Sequence, residues 1–111
     1  MQATVTDYGA DVVVLSLRGE LDTDTAARLS AALDPLLARP APRIVVDLGG
    51  LYFCDSIGLS TFLTGRRHAM SSGGWLRLAA PTEFLRELLD TVGLARYLPI
   101  YTDVREAAEA A

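Results

Sequence analysis

The sequence of 111 residues has one cysteine, Cys54, one histidine, His68, and no lysine at all. A single cysteine excludes an internal disulfide, and one cysteine with one histidine supplies no zinc ligand set. With lysine absent, all ten basic residues are arginine, and the net charge is −4. That balance lacks the basic footprint that nucleic acid or an anionic membrane requires, and it suits a cationic protein surface better. No apolar run approaches the roughly 20 residues needed to span a bilayer. The opening Met1-Gln-Ala-Thr-Val lacks the basic-then-apolar signature of a secretory signal, so the expected location is the cytoplasm. No Walker A loop and no G-x-G-x-x-G after a strand is present, which removes the usual nucleotide cradles.

Half of the residues are hydrophobic, and one domain spanning residues 1–111 is expected, with a core that needs no staples. Ala3–Tyr8 and Val12–Leu17 alternate around a break at Gly9 and predict a β-hairpin. From Thr23 the period changes: Ala26, Leu29, Leu33 and Leu36 recur at three or four residues, predicting an amphipathic helix capped by Asp22 or Thr23. Pro35 is expected to kink or end it near Asp34. Arg43–Leu48 reads as a buried strand closed by a turn at Gly49-Gly50. A helix to about Ser72 follows, with Leu59, Phe62, Leu63 and Met70 inward and His68 outward. Trp75–Ala79 alternates as a strand, and Pro81-Thr-Glu83 opens a helix with Phe84, Leu85, Leu88, Leu89 and Val92 inward and Gly93 at its C-terminal stop. Leu98–Tyr101 predicts a short strand, and Thr102–Ala111 a final helix packed by Val104 and Ala108.

Alternation of strand and helix after the hairpin predicts an α/β fold: a mixed sheet, its first strand antiparallel and the remainder largely parallel, packed with about four helices. Parallel strands carry their C-terminal ends on one edge, so the loop with Asp22 and the loop with Asp55 and Ser56 are expected on one surface. Ser56 stands where a helix starts, a place that receives phosphate well. Ser and Asp before an apolar run are also ordinary capping residues. Cys54-Asp-Ser-Ile-Gly58 resembles half of a nucleophile elbow, but Cys54 replaces the first glycine. The sole histidine lies 12 residues along the same helix, about 18 Å from Ser56 at 1.5 Å per residue. A general base must reach its serine, so no catalytic residue is assigned. Ser56 instead suits the role of a phosphorylation substrate, where about −1.5 to −2 added charges beside Asp55 would repel a docked partner. Gly58, lacking a side chain, is expected to let that partner approach.

Gly19-Glu-Leu-Asp22 followed by Thr25-Ala26, then Val45-Val-Asp-Leu48, then Phe53-Cys-Asp-Ser-Ile-Gly-Leu59 resembles the bacterial anti-sigma factor antagonists of the STAS domain family, over essentially the whole chain. The resemblance implies a STAS-like fold and a free-standing regulator with no enzymatic activity or cofactor. Its unphosphorylated form would bind an anti-sigma factor that is itself a serine kinase, releasing the sigma factor. Phosphorylation of Ser56 would end that binding, and a PP2C-type phosphatase would restore it. The partner surface implied comprises Asp22, Asp55, Ser56, Ile57, Gly58 and Leu59. Many family members carry Ser or Thr where this chain has Ile57, which removes an alternative acceptor. The other reading is a scaffold or small-ligand or nucleotide-binding STAS module in which Ser56 only caps its helix.

Overall fold

The computed structural model describes residues 1–110. β1 (Gln2–Tyr8) and β2 (Val12–Leu21) pair antiparallel through a turn in which Gly9 takes a left-handed φ of 66°, a conformation that costs glycine little. α1 (Ala26–Leu37), β3 (Arg43–Cys54), α2 (Ser56–Ser71), β4 (Trp75–Ala79), α3 (Glu83–Thr91), β5 (Ile100–Tyr101) and α4 (Val104–Glu109) follow in order. The five strands lie in the order β1-β2-β3-β4-β5. All pairs beyond the first are parallel, so the mixed sheet with four helices stands as the sequence predicts.

Period-two alternation sends Val13, Leu15 and Leu17 of β2, Ile44, Val46 and Leu48 of β3, and Leu76 and Leu78 of β4 to one face. There they meet Leu29 and Leu33 of α1, Leu59 and Phe62 of α2, and Leu85 and Leu89 of α3. Phe62 is 1% exposed, and its truncation to alanine would cost about 3–5 kcal/mol. The opposite face is covered by α4, where Ala107 packs with Val14, Val45 and Ala79. Arg77, on that face, is buried and stacks over the Trp75 ring at 3.8 Å. Its Nη1 donates to the carbonyls of Ala107 and Ala110 at 2.9 and 3.0 Å. A charged donor thereby satisfies the carbonyls that a helix end leaves orphaned.

Several boundaries differ from the sequence reading, each for a local reason. α1 starts at Ala26, not Thr23, because Asp22 and Thr25 close a separate loop first. Pro35 lies inside α1 without ending it. The buried Leu36 and Leu37 hold its last turn to the core. Gly49-Gly50 is not a turn: β3 runs through it to Cys54 beside β2, with register shifts at Ser16/Arg18 and Gly19/Glu20. A Cβ on Gly50 would lie 2.7 Å from the Leu17 carbonyl oxygen, so only glycine allows β2 to pass this bulge. Met70, Phe84 and Val92, expected inward, are 52%, 58% and 50% exposed. Gly65 and Ala69 of α2 take the inward positions instead and let the helix lie close to the sheet. Gly93 takes the left-handed stop conformation as expected, and a 3₁₀ turn at Leu94–Arg96 follows it. The last helix, expected over Thr102–Ala111, runs from Val104, after the Asp103 cap, to Glu109, and Ala110 is already extended; Ala111 lies outside the described residues.

Candidate functional site

β2 and β3 run parallel with Leu21 opposite Cys54, so the loops that follow them leave the same rim of the sheet. The Asp55 amide donates to the Leu21 carbonyl at 3.0 Å. The Asp55 carboxylate then does two tasks at once. Oδ1 accepts from the Gly58 amide at 2.8 Å and caps α2. Oδ2 accepts from the Thr23 amide at 2.9 Å and from its hydroxyl at 3.2 Å. One side chain therefore starts the helix and staples the neighbouring loop to it. These donors, the Gly58 amide foremost, hold the Asp55 carboxyl below its ordinary value, against a smaller opposing effect of desolvation.

Because Asp55 is the cap, Ser56 is the first residue of α2 proper. Its side chain is exposed, and its Oγ has no hydrogen-bond partner among the described residues. Ile57 beside it is 47% exposed. Asp22 shares the rim but is half-buried, and its Oδ1 accepts from the Thr25 amide at 3.0 Å. Its carboxylate closes its own loop.

Two residues expected at a partner surface face inward. Leu59 is 4% exposed and belongs to the main core. Gly58 is buried, and a Cβ there would lie 2.6 Å from Leu21 Cγ and 3.1 Å from Cys54 Sγ. Its missing side chain admits β2 to the helix start, not a visiting protein. Cys54 is buried under the same contact, and burial pushes its thiol up to about 12, far from the thiolate that a nucleophile requires. His68 is exposed in the last turn of α2, as predicted, far along the helix from Ser56.

Three residues on this rim escaped the sequence reading. In the sequence Thr23 reads only as a capping candidate for α1. Tyr52 and Phe53 sat in an apolar run, yet they are 62% and 40% exposed. The two bulges of β3 put Leu48, Leu51 and Cys54 inward at spacings of three, leaving consecutive aromatics outside. The available signal was Gly49-Gly50 within a strand pattern, which marks a bulge as readily as a turn. The Glu20 carboxylate beside Tyr52 raises its phenol, so the rim is acidic as well as partly apolar. Among the described residues no His, Cys, Asp and Glu side chains gather as a metal site, and no helix is long and apolar enough to cross a membrane.

Comparison with known proteins bears on this geometry. The family model described as "Mlab, STAS domain" matches residues 5–101. An anti-sigma F factor antagonist of Paenibacillus polymyxa is 32% identical over 96 residues, covering 86% of this chain and 82% of that protein. The crystal structure of an anti-sigma factor antagonist from Mycobacterium paratuberculosis superposes with a TM-score of 0.85 at 27% identity, over 96% of this chain and 89% of that one. SpoIIAA, an anti-sigma factor antagonist in its unphosphorylated form, gives 0.76 at 23% identity over 96% and 92% of the two chains, a likeness of fold alone. With a family model spanning most of its length and the same five-stranded sheet, the chain belongs to the STAS domain family.

Proposed function

We propose that this protein is an anti-sigma factor antagonist that works by binding, with Ser56 as its switch. In this reading the unphosphorylated chain docks an anti-sigma factor with serine kinase activity through the rim formed by Ser56, Ile57 and the stapled Thr23 loop. The sigma factor is thereby released, in the cytoplasm. Asp22 and Asp55 shape that rim, and Gly58 and Leu59 support it from beneath. The kinase then phosphorylates Ser56, the complex parts, and a PP2C-type phosphatase resets it.

The observation that carries the reading is the division of labour at the start of α2. Asp55 takes the cap, so the Ser56 hydroxyl is exposed and uncommitted. The same observation favours this reading over a ligand module in which Ser56 only caps its helix. Phosphate on Ser56 would bring about −1.5 to −2 charges next to an ionised Asp55. At a closely packed interface such a change costs about 2–5 kcal/mol, or roughly 30- to 5000-fold in affinity. The names of the relatives support the choice of an anti-sigma factor as partner.

The test is incubation with the cognate anti-sigma kinase and ATP, followed by intact mass and a pull-down. Wild type gains one phosphate and releases the kinase, whereas Ser56→Ala gains none and retains it. A phosphorylated chain that holds the kinase as tightly as the unmodified one would overturn the mechanism.

A further inference from the structure

The sheet ends in two unlike edges. β5 contributes two residues, Ile100–Tyr101, directly after Pro99, and so short an edge offers little to pair with. β1 is seven residues long and pairs with β2 without a single register shift. Gln2 to Asp7 are all exposed. Natural edge strands are protected by lysine, proline, bulges or a covering segment. β1 has none of these, and its one charged residue is Asp7 near its end. Its outer amides and carbonyls therefore face an open side, and the chemistry that satisfies them is another extended strand.

We propose that the occupant is β1 of a second copy, paired antiparallel about a two-fold axis through Val5. The register follows from the strand itself. Centred on Val5, the whole strand Gln2–Tyr8 pairs with itself: Gln2 faces Tyr8, Ala3 faces Asp7, Thr4 faces Thr6, and Val5 faces Val5. No like charges meet, and the two Thr–Thr pairs are of a favourable cross-strand type. Val5 is the one large apolar side chain exposed in β1, at 47%, and it stands opposite Leu15 on the helix-bearing side. On the axis it would gain its own copy as the apolar neighbour it lacks. Two sheets would join as one of ten strands with an isologous interface. The interface also stays clear of the serine rim. Val5 lies level with Leu15, six strand positions from Leu21, or about 20 Å at 3.3 Å per residue.

Sedimentation equilibrium and site-directed crosslinking test this without any partner protein. Wild type should rise with concentration from the mass of one chain toward that of two, and Val5→Lys should weaken this at least tenfold by setting two cations on the axis. Val5 is exposed in the single chain, so a melting temperature unchanged at a dilution where wild type is one chain would show that the variant still folds. Cys54 is 1% exposed, so Val5→Cys introduces the sole accessible thiol. Facing residues of an antiparallel pair lie about 4.5–5.5 Å apart between Cα atoms, within disulfide reach. Val5→Cys should therefore oxidise to a covalent dimer. Asp7→Cys would be displaced from its own copy by four positions, about 14 Å, and should stay monomeric. A wild type that remains one chain at millimolar concentration, a Val5→Lys that associates equally, or equal crosslinking at both positions would each overturn the proposal.

Discussion

α1 and α2 leave the same rim of the sheet after adjacent parallel strands, each preceded by an aspartate, yet they begin differently. Asp55 reaches the third residue ahead of it, Gly58, and the helix starts at once. Asp22 also reaches three residues ahead, to Thr25, but there it closes a loop, and α1 begins only at Ala26 behind an N-cap without a side-chain bond. The difference lies in the Thr25 hydroxyl. It accepts from the Asp22 amide at 2.9 Å and lies 3.1 Å from the Glu20 carbonyl, to which it donates. A hydroxyl bound locally in this way competes with helix formation. At α2 the position three residues ahead is Gly58, which has no hydroxyl, and Ser56 is bypassed by the carboxylate before it. A serine can stand at a helix start without being consumed by the fold, provided another residue supplies the cap.

The largest expected effect comes from closing the space that lets α2 start so near β2. Gly58→Ala would set a Cβ 2.6 Å from Leu21 Cγ in a fully buried contact. Overpacking of this kind costs about 1–3 kcal/mol. Alanine's better helix propensity offsets at most about 1 kcal/mol, so urea unfolding should show net destabilisation. Next in size, Asp55→Ala removes cap and staple together. It should lower the melting temperature by several degrees, and faster exchange of the Thr23 amide should accompany it. Asp55→Asn keeps a good capping residue but loses the carboxylate that Thr23 binds twice, so it should speed that exchange with a smaller thermal loss.

A pH series separates the charge from the geometry. The folded-state pKa of Asp55 is depressed, so its contribution is present above the ordinary aspartate range and is lost as pH falls through the lowered folded value. The stability gap between wild type and Asp55→Asn should therefore hold at neutral pH and close on acidification below that range. The smallest effect distinguishes the two helix starts most directly. Ser56→Ala should change stability by less than about 0.5 kcal/mol, as expected of a surface residue that caps nothing. A loss near the 1 kcal/mol typical of a deleted cap would mean that the serine and not the aspartate begins the helix.

Much of this was legible in the residues, and the parts that were not have physical causes. The parallel order of strands, and with it the meeting of the Asp22 and Asp55 loops, followed from strand–helix alternation alone. The inward set of α2 was partly misread. Glycine and alanine at 65 and 69 carry little hydrophobic signal, while Met70 carries much and lies outside. The far half of β3 reads as an apolar strand run from Leu51, but Gly49-Gly50 reads as a turn that separates it from the first half, because two adjacent glycines mark a bulge and a turn alike. Phe84 and Val92 fit the period of α3, but that helix is short: Leu85 and Leu89 are buried with Leu88 packed beside them, while Phe84 at its start and Val92 at its C-cap stay outside. Whether an aspartate caps a helix or ties a loop depends on which amide lies in reach. That distinction between Asp22 and Asp55 exists only in three dimensions.

From the Ser16–Asp47 pair to the Leu21–Cys54 pair, β2 advances five positions while β3 advances seven. The two surplus residues set the phase in which the chain arrives at the rim. Deleting one of them would turn every following side chain of the strand over, sending Leu51 or Cys54 toward water and an aromatic toward the core. Ser56 would then emerge on the wrong side of its own scaffold. The length of this short tract is thus a counted quantity, and a shortened variant with every motif residue intact would still present the hydroxyl to the wrong neighbour.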